Sequence, residues 1–284
     1  MNLGLKISSS DYIGIVEPDD WVQKDMYLQL YKKAVKYNLD FVKADFYRFT
    51  GKGVDIDLKL NRLSPDKNDY NRVICPGDYL KSFRFIMNTW SGIYKREFIE
   101  KYNIRHNNSP GASYQDNGFW FQTFCQAKRV MFIDVPYYMN RRDNINSSVH
   151  RKDKVFAGIK EYDFIFNFLK NKSLLKKFHS IWLFMKFHNC IYTYNRIDYI
   201  FKLEFLKKFQ DDFRKETAGY DEFNKNELEI INLIVNSVPD EFLKYVDFIN
   251  NDNISYYKRF LEFKSFSSFF DYFYKKLDTD RFIQ

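Results

Sequence analysis

The chain has 284 residues, 45% of them hydrophobic, enough for one large domain or two smaller ones around a real core. Its net charge of +8 is spread evenly, with 22 basic and 17 acidic side chains in residues 1–150 and 23 and 20 in residues 151–284. That distribution suits anionic ligands or a membrane surface and argues against a nucleic-acid partner, which calls for a concentrated basic element.

No apolar run reaches the ~18 residues of a membrane span, and the start Met1-Asn2-Leu3-Gly4-Leu5-Lys6 lacks a secretory apolar segment, so a cytoplasmic protein is expected. Cys75, Cys125 and Cys190 are odd in number and far apart, which predicts reduced, partly buried thiols.

In chain order, Tyr12 to Val16 reads as a strand that ends in the acidic corner Glu17-Pro18-Asp19-Asp20. Helical spacing follows over Asp25 to Tyr37, then a strand at Phe41 to Asp45, giving a strand–helix–strand unit. Residues 50–75, with Gly51, Gly53 and Pro65, predict a surface excursion, and Gly77 to Met87 a helix. Trp90 to Tyr94 reads as extended, Lys95 to Tyr102 as a helix, and Asn107 to Ser113 as a loop feeding a helix over Gly118 to Ala127. Val130 to Asp134 predicts a strand. Beyond residue 151 only helices are expected, at 155–169, 174–194, 199–215, 227–235, 241–249 and 255–276, which places a domain boundary near 150.

Three groups of residues could carry chemistry. The carboxylates of Glu17, Asp19 and Asp20 follow an apolar strand directly, where they repel one another unless a cation with a polyphosphate ligand neutralises them; the plainer role for Asp19 or Asp20 is capping the helix at Asp25. Asp116 sits where a loop enters a helix, at the rim of a cleft, where a carboxylate can accept a hydroxyl proton or simply cap the helix. The pair Arg141 and Arg142 suits phosphate oxygens but also ordinary solvated surface, and His150 nearby is a further candidate.

The run from Asn2 to Trp21 resembles the middle of a family 2 glycosyltransferase, in which N-x-G-x-x-x-A-x-G-x-Y-I precedes D-S-D-D-W. Downstream, Pro110-Gly111-Ala112-Ser113-Tyr114-Gln115-Asp116 resembles the segment holding that family's catalytic base. Tyr137 to Arg142 with Asn146-Ser147-Ser148 resembles the strand and loop closing its active site. Glu17, Pro18 and Gln115 depart from the usual residues. The resemblance covers roughly the first half of the chain, and three motifs in order are more specific than any one.

What the resemblance implies is an α/β fold of the GT-A, Rossmann-related type over residues 1–150 and an all-helical region over 151–284, with inverting, metal-dependent sugar transfer from a nucleotide-sugar donor to a hydroxyl of a surface glycan. Asp19 and Glu17 would hold Mn²⁺ or Mg²⁺, with Asp20 supporting that corner. Asp116 would be the general base and Arg141 and Arg142 would steady the leaving diphosphate. Tyr114 and Gln115 would line the substrate site, as would Trp90 if its ring stacks on sugar rather than in the core.

Two βαβ-type units that precede the acidic corner in the family, on the order of 60–90 residues, have no counterpart here. The sheet is therefore expected to lack its first strands and the isolated chain to bind donor weakly. An inactive remnant or interaction subunit is the alternative reading. The aromatic, lysine-rich helical faces suit a homodimer interface, peripheral contact with the cytoplasmic face of the inner membrane near a lipid-linked acceptor, or a cap on the catalytic domain.

Overall fold

The computed structural model describes residues 1–109, 114–144, 154–240 and 242–243. The 110–113 segment, Asn146 to Ser148, His150 and the helices expected at 241–249 (but for residues 242–243) and 255–276 lie outside the described residues. The chain divides into two compact units, one formed by Met1–His150 with Asp163–Leu174 and the other chiefly by Arg151–Tyr162 with Leu175–Ile283.

The first unit is built on a mixed sheet. A short helix α1 (Asn2–Ile7) leads to β1 (Tyr12–Gly14) and β2 (Trp21–Val22), then to α2 (Met26–Lys36) and the long β3 (Phe41–Thr50). There follow β4 (Asp57–Asn61), β5 (Gly92–Lys95), α3 (Arg96–Lys101), α4 (Gln115–Gln126) and β6 (Val130–Arg141). The strand order is β1-β5-β3-β6-β2, with β4 pairing β3 beyond β5. Because β1 and β3 each run antiparallel to β5, they are parallel to one another, and α2 makes the crossover between them. β3 and β6 pair in parallel, with a register shift between Ala44 and Phe46.

The expected strand–helix–strand unit is therefore present, with β5 inserted between its strands. Buried Met26, Leu30 and Ala34 repeat at helical spacing on α2. β3 is buried along almost its whole length, as befits a central strand with apolar residues on both faces. Around it, Trp90 stacks on Tyr138 at 4.3 Å between centroids and takes the edge of Phe46 at 4.8 Å, while Phe83 and Phe124 pack with Trp120.

Two sequence expectations are corrected. The region 50–75 is not all surface excursion: β4 forms a hairpin with β3, and Leu63, Ser64, Asp69 and Tyr70 are buried. Tyr70 Oη donates to Asp45 at 2.7 Å, and Asp69 accepts from Ser64 and Tyr79, both at 2.5 Å, so side-chain hydrogen bonds fold this polar stretch inward. The helix expected at 77–87 is only a 3₁₀ turn, Leu80–Arg84. Phe85, Ile86 and Met87 are all buried in succession, a pattern no single helix face satisfies, and the Ile86 N–H donates instead to the Leu63 carbonyl at 3.0 Å.

The second unit is helical. Of its helices, α6 (Leu175–Arg196) is buried on every side from Ile181 to Ile191, which marks it as the central helix of this unit. It is accompanied by α7 (Tyr199–Arg214) and α8 (Lys225–Asn236); the preceding α5 (Ala157–Asn171) is divided, its residues from Asp163 onward belonging to the first unit. The buried polar side chains of α6 are partnered: Lys186 with Asp212 at 3.0 Å and His188 with Glu227 at 3.1 Å. Glu227 also closes a capping box with Asn224 at the start of α8. Among the described residues no helix is long and apolar enough to cross a membrane. The three cysteines are free thiols, Cys125 and Cys190 buried and Cys75 half-buried.

Candidate active site

The acidic corner is a turn closed by the Asp20 N–H donating to the Glu17 carbonyl at 3.2 Å, with Pro18 at its second position, where a fixed φ favours the turn. β6 then fixes it from the side. Asp20 accepts from Tyr138 Oη at 2.8 Å, Asn140 Nδ2 at 3.1 Å and the Arg141 backbone N–H at 2.7 Å. Tyr138 Oη in turn accepts the Glu17 N–H at 3.0 Å. Among the described residues Asp19 accepts one side-chain bond, from Asn144 Nδ2 at 2.7 Å. Neither aspartate caps α2, whose N-cap Asp25 makes no side-chain cap bond.

Asp116 lies in the first turn of α4, entered through Tyr114 at φ 63°, a left-handed conformation that is unfavourable for a bulky residue. The Gln115 amide donates to the Ser109 carbonyl at 2.7 Å and its hydroxyl at 3.1 Å, so it braces the two ends of the loop before α4. Asp116 keeps about a third of its side-chain surface exposed (33%). Burial pushes its pKa up, and the Lys43 ammonium and the Thr89 hydroxyl oppose that rise.

These elements converge electrostatically. Burial, followed by the charges of Asp116, Asp20 and Asp19, raises the Glu17 carboxyl to about 7. The corner on the β1–β2 connection and the carboxylate on α4 thus share one field, although they are about a hundred residues apart in sequence.

The remaining sequence candidates fall into two classes. Arg141 is a structural clamp: its guanidinium donates to the Asp19 carbonyl at 3.2 Å, pairs with Asp143 at 3.1 Å and lies over the Phe49 ring at 4.6 Å. The Arg142 N–H extends the β3–β6 pairing to Phe49, while its side chain is half-buried and makes no ion pair among the described residues. Trp90 is only 1% exposed, between Tyr138 and Phe46, so it is the buried tryptophan of the two alternatives and offers no ring face to a sugar.

Several residues of the site escape a linear reading. Lys43, on β3, is 1% exposed and donates to the Asn88 carbonyl and Oδ1, both at 2.7 Å. His106 is buried, stacks on Phe119 at 4.5 Å and places Nδ1 at 3.9 Å from Asp116 Oδ1. Burial drives its pKa down to about 4, so the ring is neutral near pH 7. Asn2 holds the His106 backbone with two bonds, Nδ2 to the carbonyl at 2.8 Å and the N–H to Oδ1 at 2.9 Å. The available signal was Lys43 itself, an ionisable residue inside a strand apolar on both sides, which must find partners.

For a cation, the protein offers hard oxygen ligands only. Among the described residues no three His, Cys, Asp or Glu side chains are grouped closely enough to hold a metal ion by themselves. Asp20 is occupied by three donors, which leaves Glu17 and Asp19. Two carboxylates completed by ligand phosphates are a donor set that suits Mg²⁺ or Mn²⁺.

No family model matches the chain. It is 28% identical over 152 residues to the uncharacterized glycosyltransferase EpsJ of Bacillus subtilis, covering 51% of this chain and 42% of that one. It is 24% identical over 183 residues to the putative glycosyltransferase EpsH of the same organism, covering 62% and 51%. The chain thus spans about half the length of these curated relatives.

In fold, it matches Staphylococcus aureus TarS 1–349 with a TM-score of 0.52 over 97% of this chain and 70% of that one, at 12% identity. The same TarS fragment in complex with UDP-GlcNAc matches with a TM-score of 0.50. Sequence relatives and fold together make this chain similar to glycosyltransferases, with a mixed α/β sheet followed by a helical region.

Proposed function

We propose that the chain carries the metal and base side of an inverting, family 2 type glycosyltransferase site that uses a nucleotide-sugar donor and an acceptor hydroxyl of a surface glycan. The observation that carries the reading is the acidic corner pinned by β6, in which Tyr138, Asn140 and the Arg141 N–H engage Asp20 and leave Glu17 and Asp19 beside it. Among the described residues Glu17 makes no side-chain hydrogen bond and Asp19 accepts one from Asn144, while Asp20 is locked to β6 and Asp116 stands apart at the start of α4. The sequence relatives and the TarS–UDP-GlcNAc likeness support the donor class.

In this mechanism Asp116 takes the proton of the acceptor hydroxyl as that oxygen bonds to the anomeric carbon. The bond from that carbon to the donor phosphate oxygen breaks on the opposite face, so the configuration inverts. A bound Mg²⁺ or Mn²⁺, held by Asp19 and Glu17, would supply positive charge to the departing diphosphate. Arg142, which makes no ion pair among the described residues, is a candidate for the same negative charge, since Arg141 is engaged with Asp19, Gly51 and Asp143.

Calorimetric titration with Mn²⁺ and a panel of UDP- and GDP-sugars tests the proposal. Metal-dependent donor binding that Asp19→Ala abolishes is the expected result. Binding indifferent both to Mn²⁺ and to that substitution would overturn it.

A further inference from the structure

The chain between α3 and α4 is irregular, yet two of its residues are gripped by amide side chains. Asn2 Oδ1 accepts the His106 N–H at 2.9 Å, and Asn2 Nδ2 donates to the His106 carbonyl and to Asn108 Oδ1, both at 2.8 Å. Gln122 of α4 holds the preceding residue in the same way, its Oε1 accepting the Arg105 N–H at 3.3 Å and its Nε2 donating to the Arg105 carbonyl at 2.7 Å. Each amide does for one residue what a paired strand would do, satisfying the N–H and the carbonyl together. The His106 backbone is thereby fixed.

The ring is fixed by a second contact. The His106 side chain is 3% exposed and lies parallel to Phe119, at 4.5 Å between centroids and 11° between planes. Phe119 and Asp116 are three residues apart on α4 and share a face, so a ring laid on Phe119 is brought alongside Asp116, with Nδ1 3.9 Å from Oδ1. Both ring nitrogens are buried, and among the described residues neither makes a hydrogen bond. Buried polar atoms left in this condition cost stability, and here they stand beside a carboxylate. A carboxylate only accepts, so the ring nitrogen that serves it carries the proton. The Gln115 backbone also faces the ring and favours its charged form, but burial outweighs it and keeps the ring neutral near pH 7.

We propose that His106 is a positioning residue for Asp116: set by the Asn2 clamp and the Phe119 stack, its Nδ1–H is aimed at Oδ1 and holds one carboxylate oxygen while the other receives the acceptor proton. The 3.9 Å separation is about 1 Å beyond a hydrogen bond, a gap that a small rotation of the carboxylate closes when donor and acceptor fill the site. The inference rests on the transferase reading for the use made of Asp116, not for the pairing of ring and carboxylate.

The pairing is read without any activity, in the metal-free protein near pH 7, from the imidazole nitrogens by NMR. A proton on His106 Nδ1 is expected, moving wholly or partly to Nε2 in Asp116→Ala, since even at 3.9 Å a carboxylate favours the N–H on the nearer nitrogen. A proton on Nε2 in the unaltered chain overturns the inference and needs no variant. An Nδ1 proton that Asp116→Ala leaves in place also overturns it, because the Gln115 backbone would then be what holds it. Positioning is read from kinetics. His106→Phe keeps the stack and removes the donor, so kcat for sugar transfer should fall about tenfold or more at unchanged donor KM. His106→Asn, whose amide nitrogen stands where Nδ1 stood, should recover most of that loss. Unaltered turnover in His106→Phe overturns the role. An Nδ1 proton governed by Asp116 in a chain that transfers no sugar would leave the pairing standing and remove the transferase reading instead.

Discussion

Asp19 and Asp20 are adjacent carboxylates with opposite predicted consequences when removed. Asp20 satisfies three donors, of which Tyr138 is fully buried and the Arg141 N–H belongs to the sheet. Truncating it to Ala strands all three, at about 1 kcal/mol or more each, so the corner and the end of β6 should lose about 3 kcal/mol. Asp19 forfeits one half-exposed bond to Asn144, worth about 0.5–1 kcal/mol. Hydrogen exchange at the Arg141 amide reads this difference locally, whatever the second unit does. Asp20→Ala should speed exchange there about 100-fold, since about 1.4 kcal/mol corresponds to tenfold, and Asp19→Ala by less than about fivefold. Calorimetry with Mn²⁺ and UDP should show the reverse emphasis, with Asp19→Ala losing the metal-dependent heat at intact stability. Equal exchange effects of the two substitutions, or an unaltered Arg141 amide in Asp20→Ala, would refute the division of labour.

Other outcomes follow from the same geometry. His106 has a folded pKa of about 4 against an unfolded value near 6.5, so the unfolded chain binds the extra proton between these values. Stability is fully present above pH 6.5 and falls by about 3 kcal/mol as pH drops to about 4; His106→Phe should flatten that part of the urea-midpoint profile, and an unchanged slope would count against it. Gly92→Ala forces a Cβ to 2.3 Å from the Val42 carbonyl and should destabilise the first unit by about 1–3 kcal/mol, read as a lower urea midpoint; a neutral result would mean that β5 yields freely. Asp116→Asn should abolish sugar transfer while sparing donor binding, and near-normal turnover would remove it from the role of base. In the helical unit, Glu227→Ala breaks both the capping box and the His188 contact and should cost about 1–2 kcal/mol, whereas Glu229→Ala, an exposed neighbour, should cost almost nothing in the same denaturation experiment.

Periodicity made α2, β3 and helices α5 to α8 legible, because each has an apolar pattern that repeats over several turns or along a whole strand. The acidic corner and Asp116 could be singled out as well, since carboxylates that end a strand or open a helix are visible in one dimension. What could not be read was the function each residue has spent its polar atoms on. Arg141 and Arg142 look alike in sequence, yet one is clamped by Asp19, Gly51 and Asp143 and the other is not. Trp90 looked available to a sugar and is packed between Tyr138 and Phe46. Lys43 meets Asn88, and His106 comes within 3.9 Å of Asp116, only in the folded chain. The polar segment 50–75 misled in the same way: its composition suggests solvent, but Ser64, Asp69 and Tyr70 are satisfied inside, Tyr70 donating to Asp45 of β3.

The hold of β6 on the acidic corner makes that corner a property of strand register more than of its own loop. Tyr138 and Asn140, two residues apart, project from one face of β6 onto the same carboxylate. A slip of β6 by a single residue against β3 would turn Met139 and Arg141 to that face, replacing both donors at once. Insertions or deletions in the β1–β2 connection leave the donors in place, whereas those inside β6 remove them. Variation among related chains that keep this chemistry should therefore collect after Thr50 and after Arg142, and the distance between Val130 and Arg141 should stay fixed.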